Sequence, residues 1–350
     1  MSIVFSNIFY WIFAALLLGI VIVLHELGHF WAARLSGLRV MSFSVGFGPR
    51  LYARTGKDGV LYTIRLLPIG GYCRFYGEDE SVANEKDAFY LQPIWKRALT
   101  TVCGPLMNML TAVLAFFVLY AMLGIPAILP VVDSVVPDSP AQQAGLLPGD
   151  RFVEANGEPV NSSADLQNLI EVSGGVPITL TVDRLGEQIE LTLTPRVIDS
   201  EAGRPQIGIW FSTINNRRYG IIQSVQMSFA MTKETIVAMF DFLRNLITRG
   251  QGAGDMVGPI GTVRVVREQT EYGGIRAYLS MLAMISVNLG FFNLLPIPGL
   301  DGSRLLFLLM EAIRRKRIDP NKEGLVHLVG IALLLLLMLP VYVRDILNLF

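Results

Sequence analysis

The sequence has few charged residues and almost no cysteine. Only 17% of its 350 residues are Asp, Glu, Lys or Arg, whereas an ordinary soluble domain has about 25%. The 29 basic and 29 acidic residues give a formal net charge of zero, so the basic excess of a nucleic-acid-binding surface is missing. Two cysteines, Cys73 and Cys103, cannot build a disulfide framework. The composition argues against a soluble cytosolic protein, a nucleic-acid partner and a disulfide-rich domain.

The chain contains several long apolar segments. Four stretches contain no charged residue over the roughly 20 positions that cross a bilayer. They are residues 1–25 and the segments between Arg97 and Asp133, between Arg276 and Asp301, and between Glu323 and Arg344. The first lacks the basic start and the small-residue cleavage site of a signal peptide, so we expect it to be retained. The sequence predicts a polytopic α-helical membrane protein with four transmembrane helices.

The distribution of basic residues predicts the orientation of these helices. Ten basic residues lie in the loop of residues 34–97 and five in residues 314–322. Short loops rich in Lys and Arg stay on the cytoplasmic side. Both termini and the long segment of residues 127–275 are then expected outside, and the predicted location is the inner (cytoplasmic) membrane.

The first apolar stretch ends in His25-Glu26-Leu27-Gly28-His29, the pattern H-E-x-x-H. Its two histidines are four residues apart and share one helical face, with Glu26 beside them. A catalytic zinc takes three protein ligands and a water, and a carboxylate at the end of an apolar helix is costly unless it is functional. The pattern therefore predicts a zinc site. The alternative is a pair of hydrogen-bonded helix-end histidines with a solvated Glu26.

Asp301 is the predicted third ligand. It follows a segment with two prolines and two glycines, residues 296–302, which breaks the third helix near the side where the first helix ends. Broken backbone at membrane depth is tolerated where it is buried or lines a wet cavity. A helix cap is the alternative role for Asp301. His327 stands among apolar residues in the fourth helix, where we expect a hydrogen bonder facing another helix rather than a ligand.

Taken together, HELGH and the later N-x-x-P-x-P-x-L-D-G at residues 293–302 resemble the site-2 protease family of intramembrane zinc metalloproteases. The resemblance covers about residues 4–350. The bacterial regulator-of-sigma-E protease type shares further local strings, at residues 43–49, 67–72, 104–108, 258–261 and 286–290. One departure is Ser303, which stands where a second glycine is common.

This resemblance implies roles for the site residues. His25, His29 and Asp301 would bind Zn²⁺, and Glu26 would be the general base. It also implies that Asn293 lies beside the active site and helps to hold the substrate.

The resemblance further implies a membrane-associated β-hairpin at residues 43–49. Gly70, Gly71 and Tyr72 would then belong to an edge strand that can receive substrate. The implied partners are the lipid bilayer and single-pass membrane proteins, such as anti-sigma factors or remnant signal peptides, after another protease has trimmed them. The rival hypothesis is a catalytically inactive membrane scaffold, and the presence of Glu26 with all three ligands favours the enzyme.

The segment predicted outside contains a second recognisable pattern. Residues 139–150 read S-P-A-x-x-A-G-L-x-x-G-D, and strand patterns flank them. This string resembles a PDZ domain of the bacterial protease-associated, circularly permuted type, expected over residues 127–197. Such a domain has a groove that can add a peptide as an extra strand. A domain that only packs, without a peptide ligand, is the alternative.

The predicted order along the chain places the PDZ domain between two halves of a membrane core. Residues 1–126 and 276–350 form these halves. Residues 198–275 form a connector, within which residues 219–248 have a helical pattern. We expect this helix to lie on the outer membrane surface, and a helix packed on the PDZ domain is the alternative.

Overall fold

The computed structural model describes residues 2–78, 86–160, 162–197, 205–252 and 257–347. The chain divides into two compact units. One unit consists of Met1–Met122 together with Gly220–Phe350 and is mainly helical, whereas Leu123–Tyr219 forms a unit rich in β-structure. The β-rich unit is therefore an insertion in the sequence of the helical one.

The described residues of the helical unit form six α-helices. They are α1 (Ser2–Leu35), α2 (Ile94–Val118), α5 (Ile221–Arg249), α6 (Pro259–Leu294), α7 (Asp301–Arg314) and α8 (Pro320–Leu347), while α3 and α4 belong to the β-rich unit. Within the described residues, four segments are long and apolar enough to cross a membrane: Ile12–Leu35, Ile94–Leu123, Gly273–Leu294 and Pro320–Asp345. The four predicted apolar helices are confirmed, and α1 continues beyond the HELGH motif to Leu35.

Helix α6 is interrupted at Gly274, whose φ of 57° and ψ of −144° are not helical. Glycine accepts this backbone conformation because it has no Cβ. The residues before the break carry four charges, whereas the part of α6 after it is uncharged apart from Arg276. The break therefore marks where the membrane-length segment begins.

A β-hairpin follows α1. Strands β1 (Val40–Thr55) and β2 (Leu61–Phe75) pair antiparallel and bend strongly, so that Ser44 pairs with Thr63 on one side and Tyr72 on the other. The end of β2 is consequently an edge of this sheet. Val40, Val60 and Phe75 are buried against Ala33 of α1, which fixes the hairpin to the end of that helix.

The β-rich unit is a sheet of order β7-β6-β4-β3-β8, with β5 paired to β4. Its core includes Phe152, Leu166 and Leu180, which are almost fully buried. Its elements are β3 (Ile125–Val135), α3 (Pro140–Gln143), β4 (Arg151–Ala155), β5 (Glu158–Pro159), α4 (Ser163–Val172), β6 (Ile178–Arg184), β7 (Glu187–Leu193) and β8 (Ile209–Arg217). Residues 209–217 were expected to belong to the connector. They form β8, because Val132 and Ser134 of β3 pair with Phe211 and Trp210.

Asp150 is a buried charge inside this unit. It accepts hydrogen bonds from the Arg184 guanidinium at 2.7 Å and from the Leu147 N–H at 2.9 Å. Burial raises the pKa of this carboxyl, but the hydrogen bonds from Arg184 and Leu147 and the charge of Arg184 together outweigh burial and hold the pKa below its usual value. Asp150 therefore stays ionised and joins the turn before β4 to the end of β6.

Helix α5 is present where a helix was predicted, and it packs against α2 and α6 of the helical unit. Its buried stripe is made of small hydroxyl residues: Ser224, Ser228, Thr232 and Thr235. The hydroxyls of Ser228 and Thr232 donate to carbonyls of the preceding turn, so no polar partner is needed from another helix. Large apolar residues on α5, among them Phe229 and Phe240, are exposed.

Candidate metal centre

Two helices bring the three predicted ligands together. His25 and His29 lie one turn apart on α1 and are buried, and Asp301 is the first residue of α7. The two Nε2 atoms are 3.1 Å apart, and Asp301 Oδ2 lies 3.1 Å from His25 Nε2 and 3.3 Å from His29 Nε2. A tetrahedral zinc with bonds of about 2.0–2.2 Å needs ligand atoms about 3.3–3.6 Å apart. The observed separations lie at or just below this range, and the donor set fits zinc with one position open.

The outer nitrogens of both imidazoles also have partners. His29 Nδ1 is 2.9 Å from the carbonyl oxygen of Thr100. Because a carbonyl only accepts, Nδ1 carries the proton and Nε2 offers its lone pair to the centre. This is the tautomer that a metal-binding histidine requires.

Asn108 plays the corresponding part for His25. It is fully buried in α2, with its side-chain amide 3.1 Å from His25 Nδ1. Its Oδ1 has no partner among the described residues, and the two ends of an amide exchange by rotation about the side chain. Asn108 can therefore accept from His25 Nδ1–H when Nε2 binds a metal.

Small residues allow α1 and α2 to approach closely at this point. A Cβ added to Gly104 of α2 would clash with the His29 ring, and one added to Gly28 of α1 would clash with the Cys103 carbonyl. Helix α2 in turn holds α7, because Arg97 of α2 and Glu311 of α7 form a buried ion pair at 2.6 Å. Losing either partner would leave an uncompensated buried charge. These contacts fix both helices that carry ligands.

Glu26 is held by the edge of the hairpin. Its Oε2 accepts a hydrogen bond of 2.9 Å from the backbone N–H of Cys73 in β2. Gly71 is also close, because a Cβ placed there would lie 3.7 Å from Glu26 Cγ. The carboxylate beside the ligands is thus oriented by the same strand edge that was predicted to receive substrate.

The other predicted substrate-binding residues have different contacts. Tyr72 accepts a hydrogen bond from Arg65 at 2.7 Å, and Gly70 lies against the Phe47 ring, where no Cβ would fit. Asn293 is half-buried in the last turn of α6. Of the four residues, the structure places Gly71 next to Glu26.

No second set of three metal-ligating side chains was found in the parts of the chain that the structure describes. His327 lies outside the set, and its Nδ1 accepts from the Gly299 N–H. Thr100, Cys73 and Asn108 also contribute to the site, although no role was predicted for them from the sequence. The first two act through backbone atoms, which no residue pattern reveals. Asn108 could have been found from the sequence, because a polar amide inside an apolar helix indicates a functional role.

Known proteins resemble this chain over most of its length. The model of Peptidase family M50 matches residues 13–337. A relative from Rhizobium meliloti, named as a zinc metalloprotease, is 34% identical and the match covers 96% of each chain. A relative of the same designation from Clostridium acetobutylicum is also 34% identical, with 96% of each chain covered. Among solved structures, the PDZ domain of the SdrC-like protein of Listeria monocytogenes is 27% identical, with a TM-score of 0.22, and the match covers 23% of this chain and 84% of that domain.

Proposed function

The chain belongs to peptidase family M50 and is a zinc metalloprotease, and we propose that it cuts single-pass membrane proteins within the bilayer. The observation that carries this proposal is the convergence of three ligating side chains: His25 and His29 of the membrane-length helix α1 meet Asp301 at the start of α7. We infer that these three side chains bind the zinc ion.

The residues around the centre suggest how the chain would hydrolyse a peptide bond. Zinc, when bound, supplies a water of pKa near 7 and polarises the scissile carbonyl. Glu26 would take a proton from the attacking water and pass it to the leaving amine. The Cys73 N–H keeps one Glu26 oxygen in place, and the partners of both Nδ1 atoms orient the imidazoles with Nε2 toward the centre.

The hairpin offers a way to present the scissile bond. An amide inside a helix is shielded by its own hydrogen bonds, so a transmembrane substrate must unwind before it is cut. The end of β2 is a sheet edge whose Cys73 N–H points toward Glu26, and an extended peptide can pair along such an edge. Strand addition here would lay the peptide beside the proposed base.

A cavity of about 1160 Å³ between α5, α6 and α8 offers space for the apolar part of such a substrate. Its wall is mostly hydrophobic and includes Ile297, Gly299 and Leu300 of the loop that precedes Asp301. A mostly apolar cavity adjoining the ligand loop supports a membrane-embedded substrate over a soluble one. Anti-sigma factors and remnant signal peptides are the proposed substrate classes.

We propose that the zinc lies toward the cytoplasmic side and the PDZ domain outside, from the basic loops described above. Single cysteines replacing Lys86, Arg315 or Glu187 test this in a chain whose Cys73 and Cys103 are changed to Ala. All three positions are exposed. An impermeant thiol reagent should label position 187 in intact cells, and positions 86 and 315 only after permeabilisation. Labelling of position 315 from outside would contradict the proposed orientation.

For the PDZ domain we propose a role as a size filter, which excludes substrates with large outer domains. The sequence shows no charged cluster of the kind that captures a terminal carboxylate, although backbone amides can do so. Ile125 of β3 pairs with Arg217 of β8, so a short Gly-Ser linker can replace everything between them. The deletion should allow cleavage of a substrate that keeps its folded outer domain. It should leave cleavage of the trimmed substrate nearly unchanged.

The filter and the docking hypotheses predict different results for the deletion variant. If the deletion abolished cleavage of the trimmed substrate while the protein remained folded and zinc-bound, the domain would dock substrates. The variant Trp210→Ala is a milder companion to the deletion, because Trp210 is exposed on β8, one of the two edge strands to which a docked peptide could be added. A filter should tolerate this substitution.

A further inference from the structure

The loop that carries Asp301 is in tight contact with α8. This ligand loop, residues 295–300, joins α6 to α7. The Gly299 N–H donates a hydrogen bond of 2.9 Å to His327 Nδ1. A Cβ on Gly330 would clash with Pro298, and one on Gly299 would lie 2.7 Å from Ile331. One turn of α8 therefore packs directly on the ligand loop, without room for an added methyl group.

The His327 ring is oriented so that Nδ1 faces the loop. Because Nδ1 accepts from Gly299, the neutral ring carries its proton on Nε2. Nε2 is buried and lies 3.6 Å from Glu323 Oε1, a separation that favours a proton on this nitrogen. Ser303 Oγ is 3.4 Å from Nδ1, but its hydroxyl donates to Leu300 O at 2.8 Å. The strong bond at Nδ1 is the one from the loop amide.

The loop needs such an anchor. Within residues 295–300 the backbone lacks a helical hydrogen-bond ladder, and Gly299 has a φ of +98°. Backbone without that ladder is held mainly by the contacts it makes, whereas a metal ligand must stay within about 0.2 Å of its bond length. The Gly299 amide lies two residues before Asp301, close enough in the chain to set the direction of its carboxylate.

We propose that His327 is a positioning residue of the metal centre. By holding the Gly299 N–H, it keeps the ligand loop in the conformation that directs Asp301 toward His25 and His29. The inference rests on the proposed assignment of Asp301 as a ligand. It also gives a role to the one histidine of the chain outside the HELGH motif.

Three substitutions of His327 distinguish the effect of its hydrogen bond to the Gly299 N–H from the effect of side-chain packing. His327→Asn keeps an acceptor near the position of Nδ1, His327→Gln moves its amide toward Glu323, and His327→Leu removes all polar atoms. We expect the Gln and Leu variants to bind zinc about tenfold more weakly and to lose kcat by about the same factor, with KM nearly unchanged. The Asn variant should recover most of the zinc affinity. The measurements are chelator competition for zinc and steady-state kinetics on the purified full-length protein.

Two further variants make the result decisive. Leu328→Ala changes an exposed neighbour on α8 and should leave zinc affinity unchanged. Asp301→Asn tests the ligand itself, and unchanged affinity there would overturn the ligand assignment. If Asp301→Asn weakened zinc binding while His327→Gln did not, only the positioning role would be wrong. Equal losses in the Asn and Leu variants would also exclude it, because the hydrogen bond would then not be the cause.

Discussion

Replacing Glu26 by Gln should lower kcat by about 10²–10⁴-fold while zinc content stays unchanged. Glutamine has the size of glutamate and still offers an oxygen to the Cys73 N–H, so the side chain should stay in place. It cannot take a proton from water at neutral pH, and this step is the one assigned to Glu26. Zinc should remain because Glu26 is not among the three converging ligands.

The measurement is cleavage of a membrane-embedded peptide by the purified protein in proteoliposomes, with zinc determined on the same sample. Glu187→Gln is the matched control, since it makes the same substitution at an exposed position of the β-rich unit. Near-normal turnover by the Glu26 variant would contradict the proposed base. It would also revive the scaffold hypothesis, in which Glu26 has no catalytic task.

The sequence carried enough information to predict which residues come together in the candidate metal centre. His25, Glu26 and His29 are recognisable because helical geometry converts a four-residue spacing into one shared face. Asp301 was predictable because prolines and glycines broke an apolar stretch next to a carboxylate. A site can be predicted from the sequence in such cases, because its residues lie within about one helical turn of each other or interrupt an apolar stretch.

The supports of the centre could not be predicted in the same way. Thr100 and Cys73 contribute backbone atoms, and they lie 71 and 47 positions from the residues they hold. Which amide meets which side chain depends on how the hairpin and α2 pack on α1, and one sequence contains no signal for such distant pairs. The Arg97–Glu311 pair spans 214 positions and could not be predicted for the same reason.

Two elements also escaped the sequence analysis, each for a physical reason. Helix α7 begins at Asp301 and carries polar residues among its leucines, so its short amphipathic pattern did not resemble a spanning helix. Strand β8 is separated in sequence from the rest of its sheet, and its place depends on pairing with β3. Strand pairing over such a distance is a tertiary property rather than a local propensity.

Metal analysis should show about one zinc per chain, because two histidines and one aspartate make a single open site. Changing His25, His29 or Asp301 to Ala leaves two protein ligands, and each variant should retain only a small fraction of the zinc. Asp301→Ala is the most informative of the three. Its ligand comes from α7, far from HELGH in the sequence, and its Oδ2 lies within 3.3 Å of both imidazoles.

The matched control is Asp87→Ala, which removes an exposed carboxylate and should keep full zinc and activity. Chelation of the unaltered protein should abolish cleavage, and added Zn²⁺ should restore it whereas Mg²⁺ should not, since magnesium prefers oxygen ligands in an octahedral site. Full zinc and normal cleavage in Asp301→Ala would show that the third ligand lies elsewhere. That result would be hard to reconcile with the geometry, which places the carboxylate oxygen of Asp301 within 3.3 Å of both Nε2 atoms.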